Sequence, residues 1–215
     1  MIARVLPRAA IFVTAIAEFI DGDVLFGLFC LFGLALTLVP AIRARSLDAR
    51  IPVELELALL WLMVMDMTLG NSFGLYTKLS WFDKALHFTS STLIGLLGFL
   101  AIYVLHLTHK TRFHWWIDGV AILLVTLGIG ALWEIAEYAV DHVLARRTQG
   151  SPGLSAIDDT MFDLILDAIG GALGGVLGPL YIRHSRRSRE RSEQFAKILA
   201  RRERIGSWPS PLAGK

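Results

Sequence analysis

Three sets of ionisable residues stand out by their spacing. Asp159, Asp163 and Asp167 repeat at i, i+4, i+8, Glu134 and Glu137 stand three apart, and Asp83 and His87 stand four apart with Lys84 beside them. On a helix, positions three or four apart share a face, so each set becomes a short stripe. Like charges at that spacing repel, and an ionised side chain at mid-membrane costs about 2.5–3.5 kcal/mol on the mildest scale. Compensation can come from protons, from Lys84, from a charged His87, from Arg146 and Arg147, or from a bound metal ion. Several carboxylates with one imidazole offer the donor chemistry of a divalent cation site. Glu134, Asp159, Asp163 and His87 are the candidate metal ligands, with Lys84 as charge partner and His87 alternatively a proton shuttle. With Asp66, Asp83, Glu137, Asp158 and Asp167 they make up a candidate polar pocket.

The chain that carries these stripes is apolar. It has 215 residues, 54% of them hydrophobic and 19% charged, with a mean hydropathy of +0.56. Soluble domains run at about a quarter charged and do not need repeated apolar runs of membrane length. This composition excludes a disordered protein, a disulfide scaffold and a coiled coil, and the lone Cys30 has no internal partner. The expected fold is all-α, a polytopic transmembrane bundle of about six spans over residues 1–182, followed by a basic tail over 183–215.

The six apolar segments run from Val5 to Ile20, Val24 to Ile42, Pro52 to about Gly70, Lys84 to Leu107, Trp115 to Asp141, and Ser155 to Ile182. Asp21-Gly22-Asp23 turns the first hairpin, which we expect to remain uncleaved although Ala15-Ile16-Ala17 imitates a signal-peptide site. Phe73, Tyr76, Trp81 and Phe82 form one interfacial aromatic belt, and Trp115 with Trp116 another. Ser155 and Asp158 have the spacing of a capping box. Seventeen of the 21 lysines and arginines fall on the side of the termini, so the positive-inside rule puts both termini in the cytoplasm. The tail alone is net +7 against −5 for the rest, which suits anionic lipid headgroups; no nucleic-acid partner is expected. On this topology twelve of the nineteen acidic residues lie near the extracytoplasmic helix ends, with Asp167 roughly one turn and Asp66 roughly two turns inside the hydrocarbon.

Other features read as structure. Gly170, Gly171, Gly174, Gly175 and Gly178 form small-xxx-small patterns suited to close helix packing. Cys30 reads as a small apolar filler. Gly70-Asn71-Ser72-Phe73-Gly74 matches G-x-S-x-G but follows a membrane helix instead of a strand, so Ser72 is no nucleophile. The aspartate row is similar to that of CDP-alcohol phosphotransferases, but their Asp-Gly-x-x-Ala-Arg segment is missing: Asp118-Gly119 is followed by Val-Ala-Ile-Leu.

Taken together, Trp81-Phe82-Asp83-Lys84-x-x-His87-Phe88, Trp133-Glu134-x-x-Glu137-Tyr138 and Asp158-Asp159-Thr160-x-x-Asp163 running into Asp167-x-x-Gly170 resemble the YjdF-type bacterial inner-membrane proteins and, more distantly, the VanZ-like group. The resemblance covers about residues 51–180. It departs from the VanZ-like pattern at Asp167, where Asn is usual there, and at Glu137, where Gln is common. It implies a multi-pass protein of the bacterial inner membrane, brings no settled reaction, and places the family's acidic and histidine positions at Asp83, His87, Glu134, Glu137, Asp159, Asp163 and Asp167. Three functions remain open: an envelope-related protein whose pocket binds a divalent cation or a lipid headgroup, a proton- or cation-coupled transporter using Glu137 and Asp167, and a structural membrane partner without catalysis.

Overall fold

The computed structural model describes residues 2–47, 53–109 and 114–184 and the single positions 186, 189, 190, 193 and 197, without the side chains of 39–47 and 53. The described residues form helices and connecting turns, with no strand among them. Helix α1 (Ile2–Asp21) ends at Gly22, whose φ of +87° is cheap only for glycine. Asp23 then caps α2 (Val24–Leu47), its Oδ1 accepting from the Phe26 N–H at 3.0 Å. Helix α3 (Val53–Met63) begins with Glu54 and Glu56 at its positive end. It passes without a break into a π-helical stretch, Val64–Ser72. The short α4 (Leu75–Lys78) is followed by three long helices, α5 (Phe82–His109), α6 (Trp115–Leu144) and α7 (Ala156–His184). The Asp158 N–H donates to Ser155 Oγ at 3.2 Å, and the Ser155 hydroxyl donates to Asp158 Oδ2 at 2.6 Å, capping α7.

Helices α5, α6 and α7 are long and apolar enough to cross a membrane. Helix α2 has a shorter apolar stretch, Val24–Leu38, among the described residues. The outside of this bundle is apolar: on α6, Leu124, Leu132, Ile135 and Val143 are each more than 60% exposed. A surface of that kind needs lipid around it. The third apolar segment departs from a plain α-helix because the chain widens to i+5 spacing where it carries Asp66, and Phe73 N–H closes on Thr68 O at 2.9 Å. The widened turn leaves Gly70 against the Tyr76 ring, where a Cβ would clash. The basic tail, Arg50, Lys110, Arg112 and the side chains of Arg43 and Arg45 lie largely or wholly outside the described residues.

The tightest packing is between α5 and α7. A Cβ on Gly170 would come within 2.6 Å of Phe88 O, one on Gly174 would strike Thr92 O, and one on Gly178 would enter the Phe99 ring. Gly171 instead meets Thr126 of α6, and a Cβ on Gly175 would sit 3.6 Å from Ile122. The two rows thus seat α7 against both neighbours. The first three helices close around Ile11, Ala15, Cys30, Val64 and Met67, all buried. Arg4 and Arg8 clamp this group from one end, reaching Glu56 at 2.7 and 3.2 Å. Arg8 also donates to Thr37 Oγ1 at 3.1 Å.

At the opposite end Arg146 reaches Asp23 at 2.5 Å, joining the first hairpin to the connection before α7. The hydrogen bond from Arg146 holds the Asp23 carboxyl below its ordinary value of 3.8, and Asp23 in turn raises Arg146. A depressed folded pKa means the pair stabilises above the unfolded value and is lost as pH falls through the folded one. Both groups are about a third exposed, so screening keeps the contribution below about 1 kcal/mol. Melting curves should show Asp23→Asn slightly less stable than wild type at pH 7, with the gap closing once the pH falls well below 3.8.

Candidate functional site

Three stripes, one per long helix, face one another. On α5 it is Asp83, His87 and Ser91, on α7 Asp159, Asp163 and Asp167, and on α6 Thr126, Gly130 and Glu134. Each runs i, i+4, i+8, so each lies along one helix face. The start of α5, the end of α6 and the start of α7 share one end of the bundle, which brings the stripes into contact. His87, Ser91, Thr126, Glu134, Asp159, Asp163 and Asp167 are all buried.

Lys84 ties the outer part together. Its Nζ donates to Asp83 Oδ2 at 2.9 Å, Asp159 Oδ1 at 2.5 Å and Asp163 Oδ2 at 2.6 Å. One turn deeper, His87 lies with Nδ1 3.3 Å from Asp167 Oδ1 and Nε2 3.6 Å from Glu134 Oε1 and 3.8 Å from Asp83 Oδ1. Ser91 Oγ donates to the same Asp167 oxygen. The other Asp167 oxygen lies against Gly130, where any Cβ would overlap it.

The connection between α6 and α7 covers the end of this centre. Gly150 N–H donates to Asp159 Oδ2 at 2.9 Å and Thr160 Oγ1 donates to Glu134 Oε2 at 2.6 Å. Ser151 Oγ donates to Asp83 Oδ2 at 3.4 Å, and Gln149 Nε2 donates to Thr160 Oγ1 at 3.2 Å. Asp141 anchors the segment by accepting from the N–H groups of Thr148 and Gln149 at 2.6 and 3.0 Å.

Three oxygens are left over. Glu134 Oε1, Asp163 Oδ1 and Asp167 Oδ2 are buried and accept no hydrogen bond from the described residues. Their residues are only 5%, 1% and 1% exposed, so bulk solvent does not reach them. Unsatisfied buried carboxylate oxygens are costly, and one of them, Glu134 Oε1, lies 3.6 Å from His87 Nε2. Asp83, His87 and Asp163 each offer a donor atom, all within 4.8 Å of one another. A neutral His87 whose Nδ1–H donates a hydrogen bond to Asp167 Oδ1 would keep its Nε2 lone pair toward Asp83 and Glu134. That is how a carboxylate behind a histidine orients a metal ligand.

Other candidates from the sequence sit elsewhere. Asp158 is exposed and caps α7. Glu137 accepts from Trp133 Nε1 at 2.8 Å. Asp66 accepts from the Tyr76 hydroxyl at 2.6 Å, and burial followed by the Asp66 charge raises the Tyr76 pKa, which keeps that hydroxyl a donor. Ser72 ends the π-helical stretch and donates to Glu18 Oε1. Ser91, Thr160 and Gly130 belong to the centre and were not foreseen, although Ser91 stands four after His87 and Gly130 four before Glu134.

A family described as predicted membrane proteins, DUF2238, matches residues 2–184 of the chain. The chain belongs to that family. DUF2238 is YjdF-like, in keeping with the motif resemblance, and its matched length takes in every residue of the centre. A Thermotoga maritima protein described as uncharacterised is 32% identical to this DUF2238 chain over 129 residues, 59% of the chain. The match spans 62% of that relative's own length. No solved structure matches the chain.

Proposed function

We propose that this DUF2238 chain is a six-span protein of the bacterial inner membrane, both termini cytoplasmic, whose acidic and histidine centre lies near the outer face, beneath the connection between α6 and α7, and binds a divalent cation. The reading is carried by Asp163 Oδ1, buried without a hydrogen-bond donor among the described residues, in a group with Asp83 and His87 whose donor atoms lie within 4.8 Å of one another. The ligands are Asp83, His87 Nε2 and Asp163, with Glu134 Oε1 in reach; Asp159 acts through Lys84, and Asp167 orients the imidazole. Carboxylates with one imidazole suit Zn²⁺ or Mn²⁺ better than Ca²⁺, which takes six to eight oxygens. The basic tail rests on anionic headgroups, and kinship with the VanZ-like group is part of the same reading.

The test is a melting curve of the purified full chain with and without Zn²⁺ or Mn²⁺. A site occupied at a hundred times its Kd adds about 2.7 kcal/mol. The melting temperature should therefore rise with the metal, and Asp163→Asn should remove the rise. No shift with any divalent ion in the wild type rejects the reading.

A second reading, a proton-coupled transporter, has its own observation. Asp167 Oδ2, packed against Gly130, accepts no hydrogen bond from the described residues, and buried intramembrane carboxylates mark ion and proton pathways in transporters. That reading requires pH-dependent flux in proteoliposomes, lost in Asp167→Asn and in Glu137→Gln; flux untouched by both rejects it.

A further inference from the structure

The Lys84 ammonium is held the way a metal ion would be. Three carboxylates from two helices converge on Nζ, at 2.9 Å from Asp83, 2.5 Å from Asp159 and 2.6 Å from Asp163, and together they use all three of its N–H donors. Two of the three are split between Lys84 and the space beside His87. Asp163 gives Oδ2 to Lys84, while its Oδ1 is buried without a donor among the described residues. Asp83 gives Oδ2 to Lys84, while its Oδ1 lies 3.8 Å from His87 Nε2. Two carboxylates therefore bridge adjacent cation positions, as in two-metal centres where shared carboxylates hold ions about 3.5–4 Å apart.

We propose that the acidic centre is a two-cation site in which the tethered Lys84 ammonium fills one position, so that a single divalent ion binds in the other, beside His87. This rests on the cation-binding reading above. The two positions differ in chemistry. The one beside His87 has a nitrogen donor and suits Zn²⁺ or Mn²⁺, whereas the Lys84 position offers carboxylate oxygens alone and suits Mg²⁺ or Mn²⁺. Mn²⁺ serves both and is the probe.

The experiment counts Mn²⁺ bound to the purified full chain by native mass spectrometry and elemental analysis. Wild type should hold one ion, Lys84→Met two, and Lys84→Met with Asp159→Asn one again. One ion in both wild type and Lys84→Met overturns this inference alone, while none in either overturns the cation reading beneath it. Electron paramagnetic resonance of wild type loaded with Mn²⁺ needs no variant to fold. An isolated-ion spectrum supports the proposal, and an exchange-coupled pair overturns it.

Discussion

Lys84→Met should lower the stability of the metal-free protein by about 3–5 kcal/mol, the range for removing one partner from a buried ion pair. The size follows from how many groups depend on that nitrogen. Asp83, Asp159 and Asp163 each give an oxygen to it, and the side chains are only 2–18% exposed, so solvent replaces it poorly. Methionine fills much the same volume, so the loss measures charge and hydrogen bonds more than packing. Unfolding in mixed micelles, followed by far-ultraviolet circular dichroism, would read it. Lys78→Met is the control: Lys78 is exposed and, among the described residues, donates to Phe73 O alone, so its removal should stay within about 0.5 kcal/mol. If the two substitutions cost the same, the Lys84 cluster is not the cross-link between α5 and α7 described above. Divalent ions should restore part of the loss in Lys84→Met, because a cation can take the place of the missing ammonium.

How much of this was legible beforehand depends on the kind of physics involved. Helix period is a local property, so the rows Asp159, Asp163, Asp167 and Asp83, His87 could be placed on single faces from spacing alone. Hydropathy likewise located α5, α6 and α7 to within a few residues. Rotation about the helix decides what spacing does not weigh. Asp158 is one residue from Asp159, about 100° round the helix, and that offset turns it out to pair with Ser155. Glu137 is drawn to Trp133 one turn back on its own helix, a choice between neighbours that depends on where the indole points. The proposed ligand set differs from the spacing-based one for a tertiary reason. Asp159 was a candidate ligand, but Lys84 and Gly150 N–H engage both its oxygens, whereas Asp83 keeps one facing His87. The π-helical register at Asp66 has no periodic signature in so short a segment, and the approach of Gly70 to the Tyr76 ring that goes with it is a tertiary contact. Gly130 was the least legible, because its role is to lack a side chain opposite Asp167 on another helix.

The same dependence of the site on missing side chains gives the second large effect. Gly174→Ala should cost about 3 kcal/mol, the upper end of what overpacking does. The added methyl would strike Thr92 O and lie 2.7 Å from Leu96 N and 2.9 Å from Gly95 C, all of them α5 main chain. A flexible side chain could swing away; a helix backbone has to move as a whole, and α5 carries Asp83, Lys84 and His87. Pushing α5 from α7 therefore pulls Lys84 and His87 away from Asp163 and Asp167, so cation affinity should fall along with stability. Gly98→Ala separates this from any general effect of helix glycines. Gly98 sits on α5 too, but its added carbon would meet only Ile122 at 3.7 Å, an ordinary contact, and alanine is the better helix former. Melting temperature and Mn²⁺ affinity measured on both variants test the idea: both should drop in Gly174→Ala and neither in Gly98→Ala. A Gly174→Ala protein that melts and binds like wild type would mean the α5–α7 approach is looser than the glycine row requires, and the convergence of the two aspartate-bearing helices would need another cause.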